Sequence, residues 1–194
     1  MKVIDMHCDT IERLLRLEEH GRPEGLKENA GHVDLLRMKE SRYLLQNFAL
    51  FVEMDANSDP WERVCSLYEC YKRELERNWD ILAPVLCFSD IARNEAGGKM
   101  SALLTVEEGG VCKGELSKLR KLYEMGVRML TLTWNFENEI GSPNFSGVLR
   151  EPLNRAMAEW KAYEEGLACG TGNVQGLACG TGNVQGKSCV ARSM

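Results

Sequence analysis

An α/β fold built on a parallel sheet is predicted by two alternating patterns over the first 135 residues. Short apolar runs with strand character, at residues 2–7, 47–52, 100–107 and 127–134, are separated by segments whose apolar residues recur at helical spacing. The runs are largely apolar at successive positions, as expected of strands covered on both faces. Strand–helix–strand repetition packs as right-handed βαβ units, which leaves a choice between a doubly wound sheet and a β/α barrel. No G-x-G-x-x-G follows the first run, and "EEGGVCKGE" lacks a P-loop's spacing and its Lys-Ser/Thr ending, so nucleotide-binding versions of the doubly wound fold are disfavoured.

The elements follow in order. "KVIDMH" is a short strand, and from Thr10 the residues Ile11, Leu14, Leu15 and Leu17 lie on or near one helix face, with Gly21 as the stop. "NFALFV" carries β-branched and aromatic residues and reads as a buried strand. The segment from Ser58 opens with a strong helix start: Asp59 can cap, Pro60 suits the first turn, and Glu62 can close a capping box. Trp61, Val64, Tyr68, Tyr71 and Leu75 then recur at helical spacing, a stripe that belongs to a core. A shorter helix from near Ser89 to Gly97-Gly98 precedes the strand "MSALLTVE", the helix "GELSKLRKLYEMG" and the strand "VRMLTLTW".

Composition narrows the function classes. A formal net charge of −5 over 194 residues supplies no basic field for nucleic acid, and runs such as "KRELERNWD" read as solvated helix faces. No apolar stretch approaches the ~20 residues that span a bilayer, and no basic-then-apolar leader opens the chain, so a cytoplasmic protein without membrane contact is expected. The 8 cysteines never form a C-x-x-C pair and read as reduced thiols, mostly small core residues, with structural zinc disfavoured.

Chemistry concentrates at strand ends. In an extended chain side chains alternate faces, so His7 and Asp9 in "VIDMHCDT" point the same way and can grip one ion. The plain alternative is a strand running out into a polar turn. In a β/α barrel the reactive groups sit at the C-terminal ends of strands, and there "HCD" and Glu107-Glu108-Gly109-Gly110 would meet on one rim. Glycines after Glu108 would let the backbone turn sharply and aim that carboxylate into the mouth.

Five stretches then carry a resemblance: "VIDMHCDTIERLL", "GHVDLLRMK", "LLQNFALFVE", "LLTVEEGG" and "MGVRMLTLTWNFENEIGSPN". In this order, over roughly residues 1 to 145, they resemble the membrane (renal) dipeptidase family of zinc peptidases, in its bacterial branch. The resemblance implies a partial (β/α)8 TIM-type barrel, about the first four βα units, and hydrolysis of dipeptides, some containing D-amino acids, by a water between two zinc ions. By motif, His7 and Asp9 would bind the first zinc and Glu108 would bridge the pair, which makes Asp9 and Glu108 the candidate catalytic residues. Glu107 is the neighbour outside that motif and reads as structural. A substrate-contacting histidine of animal members is replaced by Trp134, which equally reads as a rim or packing aromatic.

The remainder departs from that pattern. The family's second zinc uses histidines from later strands, whereas this chain has only His7, His20 and His32, the last two reading as surface groups. A complete barrel takes about 250 residues. The expected organisation is residues 1–147 as the N-terminal half of a metallo-dipeptidase barrel, 148–165 as a helix, and 166–194 as a flexible tail containing "GLACGTGNVQ" twice in tandem. A half barrel has open edges and loses facing core contacts worth about 1.5–3 kcal/mol per large side chain, so a marginal fold or an edge-to-edge homodimer is expected. Two other functions stay open from sequence: a non-catalytic fragment or scaffold, and another metal-dependent barrel hydrolase.

Overall fold

All strand pairings in the computed structural model are parallel; it describes residues 1–54, 59–134 and 136–143. Strand β1 (Val3–Asp5) leads into helix α1 (Thr10–Glu19) and, after α2 (Leu35–Glu40), the chain enters β2 (Tyr43–Phe51). Next come α3 (Pro60–Arg77), β3 (Leu82–Pro84), α4 (Phe88–Ala96), β4 (Met100–Glu107), a 3-10 turn (Gly109–Cys112), α5 (Leu116–Glu124) and β5 (Val127–Thr131). β2 lies between β1 and β4, and it pairs with β4 from Leu45–Ser101 through Phe51–Glu107. The far edge of β4 takes β3 along Met100–Ala102 and β5 along Leu104–Glu107. The path β1–β2–β4–β5 is the succession of neighbouring parallel strands found in a β/α barrel, and β3 is a short addition at its lower end. Among the described residues β1 and β5 do not pair, so the sheet is open.

Pleating divides the sheet into two faces. Phe48 and Leu50 of β2, Val52 just after it, and Ala102, Leu104 and Val106 of β4 form one core with Ile11 and Leu14 of α1, Val64 and Leu67 of α3, and Leu122 of α5. The opposite face carries Asn47, Ala49 and Phe51, paired in register with Leu103, Thr105 and Glu107. β4 is thus apolar toward the helices and increasingly polar toward the mouth, and Glu107 ends the polar row.

Helix starts follow local chemistry. The Asp59 carboxylate accepts from Trp61 N at 2.8 Å, with Pro60 in the first turn of α3. The Glu62 N–H also supports that carboxylate, but no return bond from the Glu62 side chain is among those formed by the described residues, so the expected capping box is half made. Asp34 caps α2 by accepting from Arg37 N at 2.8 Å, and Arg37 Nε returns to the same carboxylate at 2.7 Å. In α4, Asp90 accepts from Leu86 N and Cys87 N at 2.7 and 2.9 Å. Glu74 of α3, 2% exposed, accepts from Leu26 N at 2.7 Å and pins the loop after α1 onto the helix.

Cys8, Cys65, Cys70, Cys87 and Cys112 are free thiols; burial pushes Cys70 up to about 11 and Cys112 up to about 12, as expected of these two as packing groups, whereas Cys87 is exposed. No helix among the described residues is long and apolar enough to cross a membrane. The helix expected at 148–165 and the tail at 166–194 lie outside the described residues.

Candidate metal centre

His7 leaves β1, Asp9 begins α1 and Glu107 ends β4, so three elements deliver three side chains to one end of the sheet. One ligand atom from each lies within 4.8 Å of the others. His7 Nε2 is 3.2 Å from Asp9 Oδ2 and 3.5 Å from Glu107 Oε2. His7 and Asp9 are about half exposed, at 49% and 54% of their side chains, while Glu107 is 18% exposed and forms the floor. Burial pushes the Glu107 carboxyl above its ordinary range; nearby His7 opposes that shift and Asp9 adds to it.

His7 and Asp9 converge by a route other than strand alternation. β1 stops at Asp5, and residues 6–9 form an irregular segment held against β2 at two points. Asn47 Nδ2 donates to Met6 O at 2.8 Å, and Ala49 N donates to Cys8 O at 3.0 Å, so the His7 peptide is clamped from both sides. His7 N also donates to Asp5 Oδ1 at 3.2 Å. Asp9 stands at the N-cap of α1 yet makes no side-chain cap bond, which leaves its carboxylate turned to His7. An aspartate that forgoes its cap is available as a ligand.

The expected third partner, Glu108, is not in the cluster; Glu107 is. Glu107 ends the polar face of β4, whereas Glu108 has a backbone φ of 111° that swings its side chain away from the mouth. Its carboxylate is buried, 1% exposed, and accepts from Gly110 N at 2.8 Å, Trp134 N at 3.0 Å and Asn138 Nδ2. The strand pattern held the signal for Glu107, since Ser101, Thr105 and Glu107 alternate with Ala102, Leu104 and Val106. Asn47 and Asn138, which hold the surrounding backbone, left no comparable signal in the sequence.

The other histidines stand apart from this group. His20 Nδ1 meets Arg16 O at 2.6 Å, a local contact at the end of α1, and His32 is exposed. Trp134, 40% exposed, packs edge-on against Phe51 with ring centroids 4.9 Å apart, and Phe51 is the register partner of Glu107.

An imidazole and two carboxylates at the C-terminal ends of two parallel strands of one sheet, β1 and β4 on either side of β2, define a candidate metallohydrolase of the β/α class. The family model for membrane dipeptidases, peptidase family M19, matches residues 1–154, and the chain belongs to that family. A metallopeptidase from Rhodobacter sphaeroides, liganded with a phosphinate mimic of the dipeptide L-Ala-D-Ala, superposes with a TM-score of 0.68 at 21% identity, covering 84% of this chain and 56% of that one. Dipeptidase AC, a metallopeptidase of the same family, gives 0.67 at 23% identity, over 82% of this chain and 53% of that one. An uncharacterised dipeptidase of Schizosaccharomyces pombe is 27% identical over 155 residues, which is 71% of this chain and 36% of that protein. The chain thus spans 36% to 56% of the length of these relatives.

Proposed function

We propose that this chain carries the first metal half-site of a zinc-dependent dipeptidase, with His7, Asp9 and Glu107 as its ligands. The observation that carries the reading is the approach of those three ligand atoms to within 4.8 Å in a chain of the membrane dipeptidase family. The donor set suits the metal: imidazole nitrogen and carboxylate oxygens are common zinc ligands, and three protein donors leave coordination positions for water and substrate. Zinc bound there would lower the pKa of a bound water and polarise the scissile carbonyl. His7 supplies a neutral nitrogen held by the Asn47 and Ala49 clamps. The two carboxylates offset the cation's charge. Glu107, the least exposed of the three, is the ligand proposed to face a second ion. Exposure of His7 and Asp9 leaves that side open to a dipeptide, the substrate class proposed here.

A second reading is favoured by one observation: no histidine follows His32 in the chain. On that reading the chain binds one zinc and does not turn substrate over alone.

Zinc content by elemental analysis, with hydrolysis of L-Ala-L-Ala and L-Ala-D-Ala followed on the same sample, tests both. One zinc with no turnover supports the half-site reading, and two zincs with turnover establish a complete dipeptidase centre. A protein that retains no zinc after loading and dialysis overturns both.

A further inference from the structure

Glu108 is displaced from the cluster but sits one residue from Glu107, and its surroundings are unusual for a carboxylate. It is 1% exposed, and its three donors come from the turn after β4 and from the segment after β5. Its backbone, at φ 111° and ψ 101°, is in a region that residues with a Cβ rarely occupy, so the surrounding bonds must over-determine it. Asn138 is committed in the same way. Its Nδ2 donates to Leu132 O at 2.9 Å as well as to Glu108, and its Oδ1 accepts from Ile140 N at 2.8 Å and Gly141 N at 3.1 Å.

The two segments also approach closely at Gly109, which brings no side chain of its own to the contact. A Cβ on Gly109 would lie 2.6 Å from Ile140 Cδ1 and 2.7 Å from Leu132 O. Close backbone approach and a buried hydrogen-bonded acid together make a joint, and the joint has an output on each side. On one side the sharp turn at Glu108 leaves Glu107 facing His7. On the other, the bond from Trp134 N sets where the Trp134 ring meets Phe51, beside Glu107.

We propose that Glu108 is a positioning residue: its buried carboxylate latches the segment after β5 onto the turn after β4 and thereby fixes Glu107 within the His7–Asp9 cluster and Trp134 at its edge. The inference rests on reading that cluster as a metal site. The plainer role is to satisfy buried N–H donors and stabilise the fold, with no consequence for the cluster.

The 194-residue chain carrying Glu108→Ala, Glu108→Gly or Asn138→Ala separates these roles. The affinity for Zn2+ alone is measured by competition with a chromophoric chelator, and folding by thermal melts. Glycine tolerates the unusual φ at position 108, so Glu108→Gly should recover part of the stability lost in Glu108→Ala. It should not recover zinc affinity, which falls about 10-fold or more in both, the scale of losing an outer-shell partner. Wild-type affinity in folded Glu108→Gly overturns the latch. If Glu108→Ala does not fold, Asn138→Ala, which removes one of the three donors to Glu108 together with the bonds of Asn138 to Leu132, Ile140 and Gly141, is measured in its place, and wild-type zinc affinity in it overturns the latch. If even the wild-type chain binds no Zn2+, the metal reading fails separately. Trp134 emission, taken as the difference from Trp134→Phe, then decides the latch: a red shift in Glu108→Gly supports it and an unchanged spectrum overturns it.

Discussion

His7 Nε2 lies 3.5 Å from Glu107 Oε2, although 100 residues of chain separate the two and β2 lies between their strands. That contact distinguishes the two adjacent glutamates. Glu107→Gln should lower zinc affinity by more than about 100-fold, beyond the 10–100-fold typical of losing an outer-shell group. Glu108→Gln should stay within that outer-shell range. Equal losses for both, in chelator competition, would show that both carboxylates ligate.

Gly109 should tolerate no side chain. A Cβ there meets Leu132 O, a backbone atom that cannot move aside as a flexible side chain can. Gly109→Ala is expected to cost about 1–3 kcal/mol, the usual range for an overpacked site. Denaturant unfolding measures it, and a loss under a few tenths of a kcal/mol would contradict the close approach. Gly98→Ala is a useful contrast, since nothing lies within 4 Å of its Cβ and only its φ of 73° opposes the change.

The Glu74–Leu26 bond ties a loop to a helix across 48 residues. Glu74→Leu keeps an apolar stem but leaves Leu26 N without its acceptor in a buried setting, and Arg77 loses its partner as well. The expected destabilisation is about 1–3 kcal/mol, the range for stranding a buried donor. A neutral or stabilising result would mean that the loop finds another acceptor. The same substitution should leave zinc affinity unchanged, because α3 faces the helical side of the sheet.

Much of this architecture is legible in the residue pattern, and the exceptions have physical causes. "MSALLTVE" marks β4 residue for residue, and Asp59-Pro60 marks the start of α3, because capping and apolar runs are local signals. β2 begins at Tyr43, four residues before the apolar run at Asn47, because Gln46 is buried in a strand flanked by β1 and β4. α2 and β3 span 6 and 3 residues, too short to display a period. At the site, His7 and Asp9 are recognisable as a pair. The third member required choosing between neighbours, where the Glu-Gly-Gly motif pointed to Glu108 and strand alternation pointed to Glu107. The backbone at Glu108 takes a φ of 111° as the strand gives way to a 3-10 turn, which no motif spacing encodes.

Acid should loosen the fold through two buried aspartates. Burial pushes Asp34 and Asp90 up, yet hydrogen bonds hold both below the ordinary carboxylate range. Asp34 is held by the side chain and N–H of Arg37, and Asp90 by Leu86 N, the Cys87 thiol and Cys87 N. A folded value below the unfolded one, about 3.9, means that the native state binds fewer protons than the unfolded chain as pH falls. The stabilisation is therefore complete above about pH 5 and is lost as pH drops through the folded values. Thermal midpoints measured from about pH 6 to pH 3 should fall below about pH 4. Asp90→Asn should start lower at neutral pH and show a shallower acid slope, because its side chain no longer titrates while Leu86 N and Cys87 N keep a weaker acceptor. Parallel curves for the two proteins would mean that the acid response comes from other carboxylates, with Asp34 the next to replace.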